Sequence, residues 1–172
     1  MNVARAFPPV SRPDAEILIL GSMPGIASLE AAEYYAHPRN AFWPIMGELF
    51  DAGPDLAYEA RLEKLRDSRI ALWDVYAACE RPGSLDSAIV DGTAEVNDFA
   101  AFLTEHAAIH AICCNGSKAH DAFRRRVLPT LTSRMSGTAL HRLPSTSPAN
   151  AGMSHQHKLA AWREVLLGPG VR

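Results

Sequence analysis

Three observations predict an α/β domain with a parallel sheet covered by helices on both faces. Four short apolar runs, residues 16–20, 69–76, 109–114 and 138–143, alternate with stretches of helical periodicity. The third run, Ile109-His110-Ala111-Ile112-Cys113-Cys114, is apolar almost throughout, as a central strand buried on both faces should be. Two segments rich in glycine, proline and hydroxyls directly follow strand candidates at opposite ends of the chain. Loops that leave the carboxyl ends of parallel strands share one edge of the sheet, and ligands bind there.

The elements follow in order. Ile17-Leu18-Ile19-Leu20 is the first strand. Phe42, Ile45, Met46, Leu49 and Phe50 then recur at helical spacing, and Leu56 to Leu65 suggests a further helix. After the second strand, the residues from Cys79 to Asp91 read as a loop on the ligand edge. Val96, Phe99, Phe102 and Leu103 mark an amphipathic helix with Thr93 as its candidate cap. Ser117 to Val127, reached through Asn115-Gly116, reads as the next helix. Leu159, Trp162 and Leu166 mark the last one, stopped by Gly168-Pro169.

The 172 residues suit a single domain over 1–172, and 48% hydrophobic with 21% charged residues is the composition of an ordinary globular protein. Three cysteines, with Cys113 and Cys114 adjacent, exclude a disulfide framework and fall short of the four thiolates an iron–sulfur cluster usually needs. With no membrane-spanning apolar run and no signal-peptide core within Met1–Pro13, a cytoplasmic location is expected. A net charge of −2 argues against a protein that coats long stretches of nucleic acid, though not against one gripping a few phosphates. Arg124-Arg125-Arg126 reads as a solvated helix end.

The first odd segment is Gly21-Ser22-Met23-Pro24-Gly25, followed by Tyr34-Tyr35-Ala36-His37-Pro38-Arg39-Asn40-Ala41-Phe42-Trp43. Gly21 and Gly25 let backbone approach a ligand and Pro24 stiffens the turn; a plain strand-to-loop turn would look the same. No Gly-Lys-Ser/Thr follows, so it is not a P-loop, and no serine is centred between the glycines as in a nucleophile elbow. Asn40 precedes a helix and suits an N-cap as well as a site residue. His37, Tyr34 and Tyr35 suit core or rim as well as a ligand. The second segment, Leu143-Pro144-Ser145-Thr146-Ser147-Pro148-Ala149-Asn150, holds three hydroxyls between prolines, which suits a phosphate diester or a simple ST-turn. His155 and His157 lack partnering carboxylates or thiolates and read as a solvated helix start. No metal-ligand constellation, Ser/His/Asp signature or dinucleotide fingerprint emerges. An aromatic platform beside a phosphate grip suits a flipped nucleotide.

Together these segments resemble the motifs of the uracil-DNA glycosylase superfamily, most closely its hypoxanthine (deoxyinosine)-DNA glycosylase branch. The resemblance runs from the first strand to the last helix. It implies a three-layer αβα sandwich around a central four-stranded parallel sheet, the uracil-DNA glycosylase-like fold. It also implies a monomer that hydrolyses the N-glycosidic bond of a deaminated base in DNA, leaving an abasic site, without metal or cofactor.

Carried over by position, the resemblance makes Gly21, Ser22 and Met23 the start of the water- and base-binding site. Met23 stands where mismatch-specific uracil enzymes carry a catalytic asparagine and others an aspartate, and in the branch resembled the catalytic role falls on Asn40. Tyr35 takes the place of the aromatic that stacks on the extruded base, and Asp74 that of a base-recognition residue. Ser147 falls on the phosphate-contacting serine, with His37, Ser145, Thr146 and Asn150 around it on the DNA side. Ala149 stands where a relative has a bulky wedge that fills the hole left by the flipped base. Two rival readings share these residues: a uracil- or mismatch-specific glycosylase of the same fold, and a non-catalytic lesion- or nucleotide-binding module.

Overall fold

In the computed structural model the described residues are 3–168 apart from Thr132 and Arg134, and the Asp91 side chain is also outside the description. The start of the segment Met1–Pro13 and Pro169 of the expected helix stop therefore lie outside the described residues. In chain order the elements are β1 (Val3–Arg5), β2 (Ile17–Gly21), α1 (Ile26–Ala31), α2 (Phe42–Phe50), α3 (Tyr58–Asp67), β3 (Ile70–Asp74) and β4 (Tyr76–Glu80). β5 (Val90–Val96), α4 (Phe99–Glu105), β6 (Ala111–Asn115), α5 (Ser117–Ala122), β7 (Ala139–Leu143) and α6 (His155–Leu167) follow.

All four expected strands pair in one parallel sheet of order β3-β2-β6-β7. Strand side chains alternate between faces. Leu18, Leu20, Ala71, Trp73, Ile112 and Cys114 therefore enter one core, while Ile19, Ile70, Leu72 and Cys113 enter the other. The first core is closed by Phe99, Phe102 and Leu103 of α4 and by Ala119 and Ala122 of α5. Phe42, Ile45 and Met46 of α2, Leu62 and Leu65 of α3, and Trp162 and Leu166 of α6 close the second. Helices thus cover both faces of the sheet, and β6 runs inside it between β2 and β7. Among the described residues no helix is long and apolar enough to cross a membrane.

Several local expectations need correction. The second strand, expected over 69–76, ends at Asp74, and the chain then enters a separate antiparallel sheet of order β1-β4-β5. The two ends of the expected 79–91 loop, 79–80 and 90–91, are therefore strand, and the residues between them form the turn at the ligand edge. Thr93 does not cap the next helix, because it lies within β5, where its hydroxyl donates to the Val90 carbonyl and accepts from Glu80 N–H. The cap is Asp98, whose side chain accepts from Ala101 N–H at 3.1 Å. The expected 117–127 helix is α-helical only to Ala122, then widens to a π-turn over Phe123–Val127, where Arg124, Arg125 and Arg126 are exposed as expected. Gly168 ends α6 with φ 72°, and His155 and His157 are exposed in its first turn.

Candidate active site

The carboxyl ends of β2, β3, β6 and β7 open into a cleft of about 990 Å³. That is the upper range for small-molecule sites. Both odd segments and the turn between β4 and β5 line it.

The two segments are bolted to each other. The Ala41 N–H donates to the Thr146 carbonyl at 2.9 Å. Asn115, the last residue of β6, donates from Nδ2 to Thr146 Oγ1 at 2.9 Å and accepts from Thr146 N–H at 3.0 Å. Trp162 of α6 donates its indole N–H to the Pro144 carbonyl at 2.9 Å. Within the second segment, Ser145 Oγ accepts from Ser147 N–H at 3.2 Å and Ser147 Oγ accepts from Ala149 N–H at 3.1 Å. The ST-turn reading is thus realised. Each hydroxyl so used still has a proton to donate outward. Asn150 spends its amide N–H on the Ser145 carbonyl at 3.1 Å, and Ala149 is exposed at the mouth of the cleft.

Asn40 is half-buried at the cleft wall, and its Oδ1 accepts from Phe42 N–H at 2.9 Å. Ala41 is the backbone N-cap of α2, so Asn40 serves the helix from one position earlier. That bond fixes the carboxamide and leaves its NH₂ for the cleft. The imidazole Nδ1 of His37 accepts from Arg39 N–H at 3.1 Å, and both residues line the cleft.

Tyr35 has φ 54°, the left-handed region that an aromatic residue enters only under constraint. Its ring stacks on Phe42 with centroids 4.1 Å apart and 25° between planes. The neighbouring Tyr34 carbonyl accepts from the Trp43 indole at 2.8 Å, which holds the strained backbone in place. Tyr34 itself is core: it is buried, and its hydroxyl donates to the Pro8 carbonyl at 2.9 Å.

The closed end of the cleft lies over Gly21, which pairs with Asp74 across β2 and β3. A Cβ at Gly21 would stand 2.5 Å from Asp74 Oδ1 and 2.8 Å from Tyr35 Oη, so only glycine fits. Met23 lines the cleft but sits largely in the core, and Ser22 is buried with its hydroxyl donating to Asp86 Oδ1. Asp74 is 3% exposed. Burial, with the negative charge of Asp86 added, lifts its carboxyl to a pKa of about 7, and Arg81 opposes this. Burial likewise pushes the Tyr35 phenol up.

The structure therefore brings every expected site residue to one cleft, Gly21, Ser22, Met23, Tyr35, His37, Asn40, Asp74, Ser145, Thr146, Ser147, Ala149 and Asn150. Three polar neighbours of the site escape the sequence reading. Asn115 looked only like a helix lead-in, although a polar residue ending a wholly apolar strand is a signal. Asp86 lies in the turn already placed at the ligand edge. Arg81, whose side chain is almost wholly buried, donates to the Met23 and Pro24 carbonyls and stands 3.9 Å from Asp86. Nothing in the local sequence marks it.

A parallel-sheet domain with a polar cleft at the strand ends, an aromatic platform and a rigid hydroxyl loop defines a nucleotide-handling class of protein. The family model described as the uracil DNA glycosylase superfamily matches residues 8–166, and the chain belongs to that superfamily. A protein from Methanosarcina acetivorans named hypoxanthine DNA glycosylase is 38% identical over 164 residues, covering 95% of this chain and 98% of the relative. A protein of the same name from Methanosarcina barkeri is 40% identical over 117 residues, covering 66% and 72% respectively. The solution NMR structure of a Methanosarcina acetivorans protein assigned to the uracil DNA glycosylases superposes with a TM-score of 0.76. It shares 37% identity and covers 95% of this chain and 99% of that one. The expected family and fold are borne out.

Proposed function

We propose that this protein hydrolyses the N-glycosidic bond of deaminated bases in DNA, hypoxanthine foremost, and leaves an abasic site. The observation that carries the reading is the meeting of Asn40, the Tyr35 ring and the Ser145–Ser147 hydroxyls in one cleft of a uracil DNA glycosylase fold. Relatives that match nearly the whole chain, or two thirds of it, and are named hypoxanthine DNA glycosylase support the base preference.

The division of labour follows from chemistry. Cleavage of a deoxyribosyl bond passes through an oxocarbenium-like transition state. The phosphates of the DNA stabilise its positive charge, and the departing base carries the negative charge. Asn40 orients the attacking water. Its amide cannot take a proton as a carboxylate would, which forfeits part of the roughly 10²–10⁴-fold available from general base catalysis. Preorganised polar groups must supply more of the acceleration. Tyr35 offers the ring face not covered by Phe42 to the extruded base, while Gly21, Ser22, Met23 and Asp74 line its seat. His37, Ser145, Thr146, Ser147, Ala149 and Asn150 meet the DNA around it.

The protein works as a monomer in the cytoplasm, without metal or cofactor. Three buried cysteines, none of them in a disulfide, suit a reducing compartment. Among the described residues no three His, Cys, Asp or Glu side chains gather as a metal site would need.

The test is multiple-turnover incubation of the pure protein with inosine- and uracil-containing duplexes, followed by identification of the free base. Hypoxanthine release with abasic DNA is the expected result. Release of uracil alone would refute the base preference, and tight lesion binding without any released base would refute the enzymatic reading.

A further inference from the structure

Two buried polar atoms at the closed end of the cleft lack hydrogen-bond partners, Tyr35 Oη and Asp74 Oδ2. Native proteins rarely leave such groups unmet, and unmet ones that face a cleft point to a ligand. Both residues line the cleft and close over Gly21, where not even a Cβ would fit between them. The base of the flipped nucleotide is the occupant that the proposed reaction brings there.

The state of the Asp74 carboxyl decides what it can do for that base. Asp86, on the turn between β4 and β5, adds negative charge. Arg81, beyond β4, is the counter-charge, but its guanidinium is committed to the Met23 and Pro24 carbonyls and to Asp86. From the first loop come the Tyr34 and Tyr35 phenols, both held neutral by burial. From β6 comes the neutral Asn115, and Lys118 of α5 lies over the Tyr76 ring. Burial together with Asp86 holds the proton on Asp74 up to about pH 7.

When the glycosidic bond breaks, its electron pair stays on the base. Carbon C1′ bonds to the oxygen of water, and the surplus water proton passes to solvent. Negative charge thus gathers on the base as the transition state forms. A hydrogen-bond donor at its edge strengthens at that moment, whereas a carboxylate would repel it. Holding a carboxylic acid neutral in an apolar site so that it can donate is an established physical device.

We propose that Asp74 acts as the neutral acid, donating a hydrogen bond to the base as it departs, and that its ionisation turns base release down. The inference rests on the glycosylase reading and adds the proton to it.

Single-turnover base release from an inosine duplex between pH 5.5 and 8 tests the idea, with melting curves to confirm that each variant is folded. With the carboxyl titrating near 7, the wild-type rate should fall about tenfold from pH 6 to pH 8. Asp74→Asn, whose amide donates at every pH, should give a flat profile. Asp86→Asn should move the falling limb toward acid, because it removes the charge that helps keep Asp74 protonated. A wild-type rate that rises through pH 7, with Asp74→Asn inactive, would overturn the proposal in favour of an ionised Asp74 acting on water. A falling limb retained unchanged in Asp74→Asn would overturn it too. Absence of base release by the wild type at every pH would instead strike the glycosylase reading itself.

Discussion

Asp74→Asn should stabilise the folded protein above neutral pH, and the size of the effect follows from the burial of the carboxyl. Asp74 is 3% exposed with one oxygen unpartnered, and its pKa rises from 3.8 to about 7. A folded-state pKa above the unfolded value means that the native state holds the proton more tightly. The corresponding stability is complete below pH 3.8 and is lost as pH rises to about 7. About three pH units at roughly 1.4 kcal/mol each set a ceiling of ~4 kcal/mol, and water entering the cleft will reduce it. Asparagine has the same shape and no charge, so it escapes this loss. Urea unfolding of both proteins at pH 4.5, 6 and 8 measures the difference. The variant should gain on the wild type step by step with pH, by ~1–4 kcal/mol at pH 8. A difference that stays constant with pH would show a carboxyl of ordinary pKa. A difference of opposite sign would show a paired carboxylate, and either result would refute the burial argument.

The other predictions concern the cleft wall and the second segment. Asn40→Ala should cut base release about a hundred-fold or more in single turnover, against ~0.5–2 kcal/mol of stability for losing the bond to Phe42 N–H. Full turnover in a folded variant would leave Asn40 as a helix cap alone. Ser147→Ala removes a neutral donor, so affinity for lesion DNA should fall about ten- to a hundred-fold while the slope of log affinity against log salt stays shallow and unchanged. Equal affinity in a binding titration would contradict the phosphate contact. Tyr35→Phe keeps the stacked ring, so most of the activity and the melting temperature should hold. Tyr35→Ala should lose about 1–3 kcal/mol of base stacking, seen as slower cleavage of inosine and uracil substrates alike even in the cold. A cold-rescued Tyr35→Ala with normal rates would confine the ring to a packing role.

The sheet was legible because its signal is local. Runs such as Ile17–Leu20 and Ala111–Cys114 are apolar at successive positions, as a strand covered on both faces requires. The small antiparallel sheet was not. Tyr76–Glu80 carries no alternation, and β1 is only three residues long; pairing between distant segments, not periodicity, makes them strands. Thr93 as a cap failed for the same reason, since a threonine before an amphipathic run also suits a strand edge. In the site, residues within the two motifs were legible because glycine, proline and hydroxyls crowd there. Arg81 and Asp86 act across the fold on Met23, Pro24 and Ser22, and no local pattern records a contact of that range.

The loop contacts and the chemistry bear on one another. An amide in place of a carboxylate leaves the water-activating step weak, so on the proposed reading positional accuracy must compensate. The structure concentrates constraint where that accuracy is needed. Ala41 N–H ties the Asn40 loop to Thr146, and Asn115 ties Thr146 to the central strand β6 by two hydrogen bonds. Phe42 serves twice, fixing the Asn40 carboxamide through its N–H and backing the Tyr35 ring through its side chain. Tyr35 keeps a backbone conformation that costs on the order of 1–3 kcal/mol, sustained by that stack and by the Trp43 bond to Tyr34. On that reading the water-orienting amide, the base platform and the phosphate loop are tied to one another. A change that loosens any one of these ties, such as Asn115→Ala, would slow the chemistry through misplacement even though it removes no reacting group.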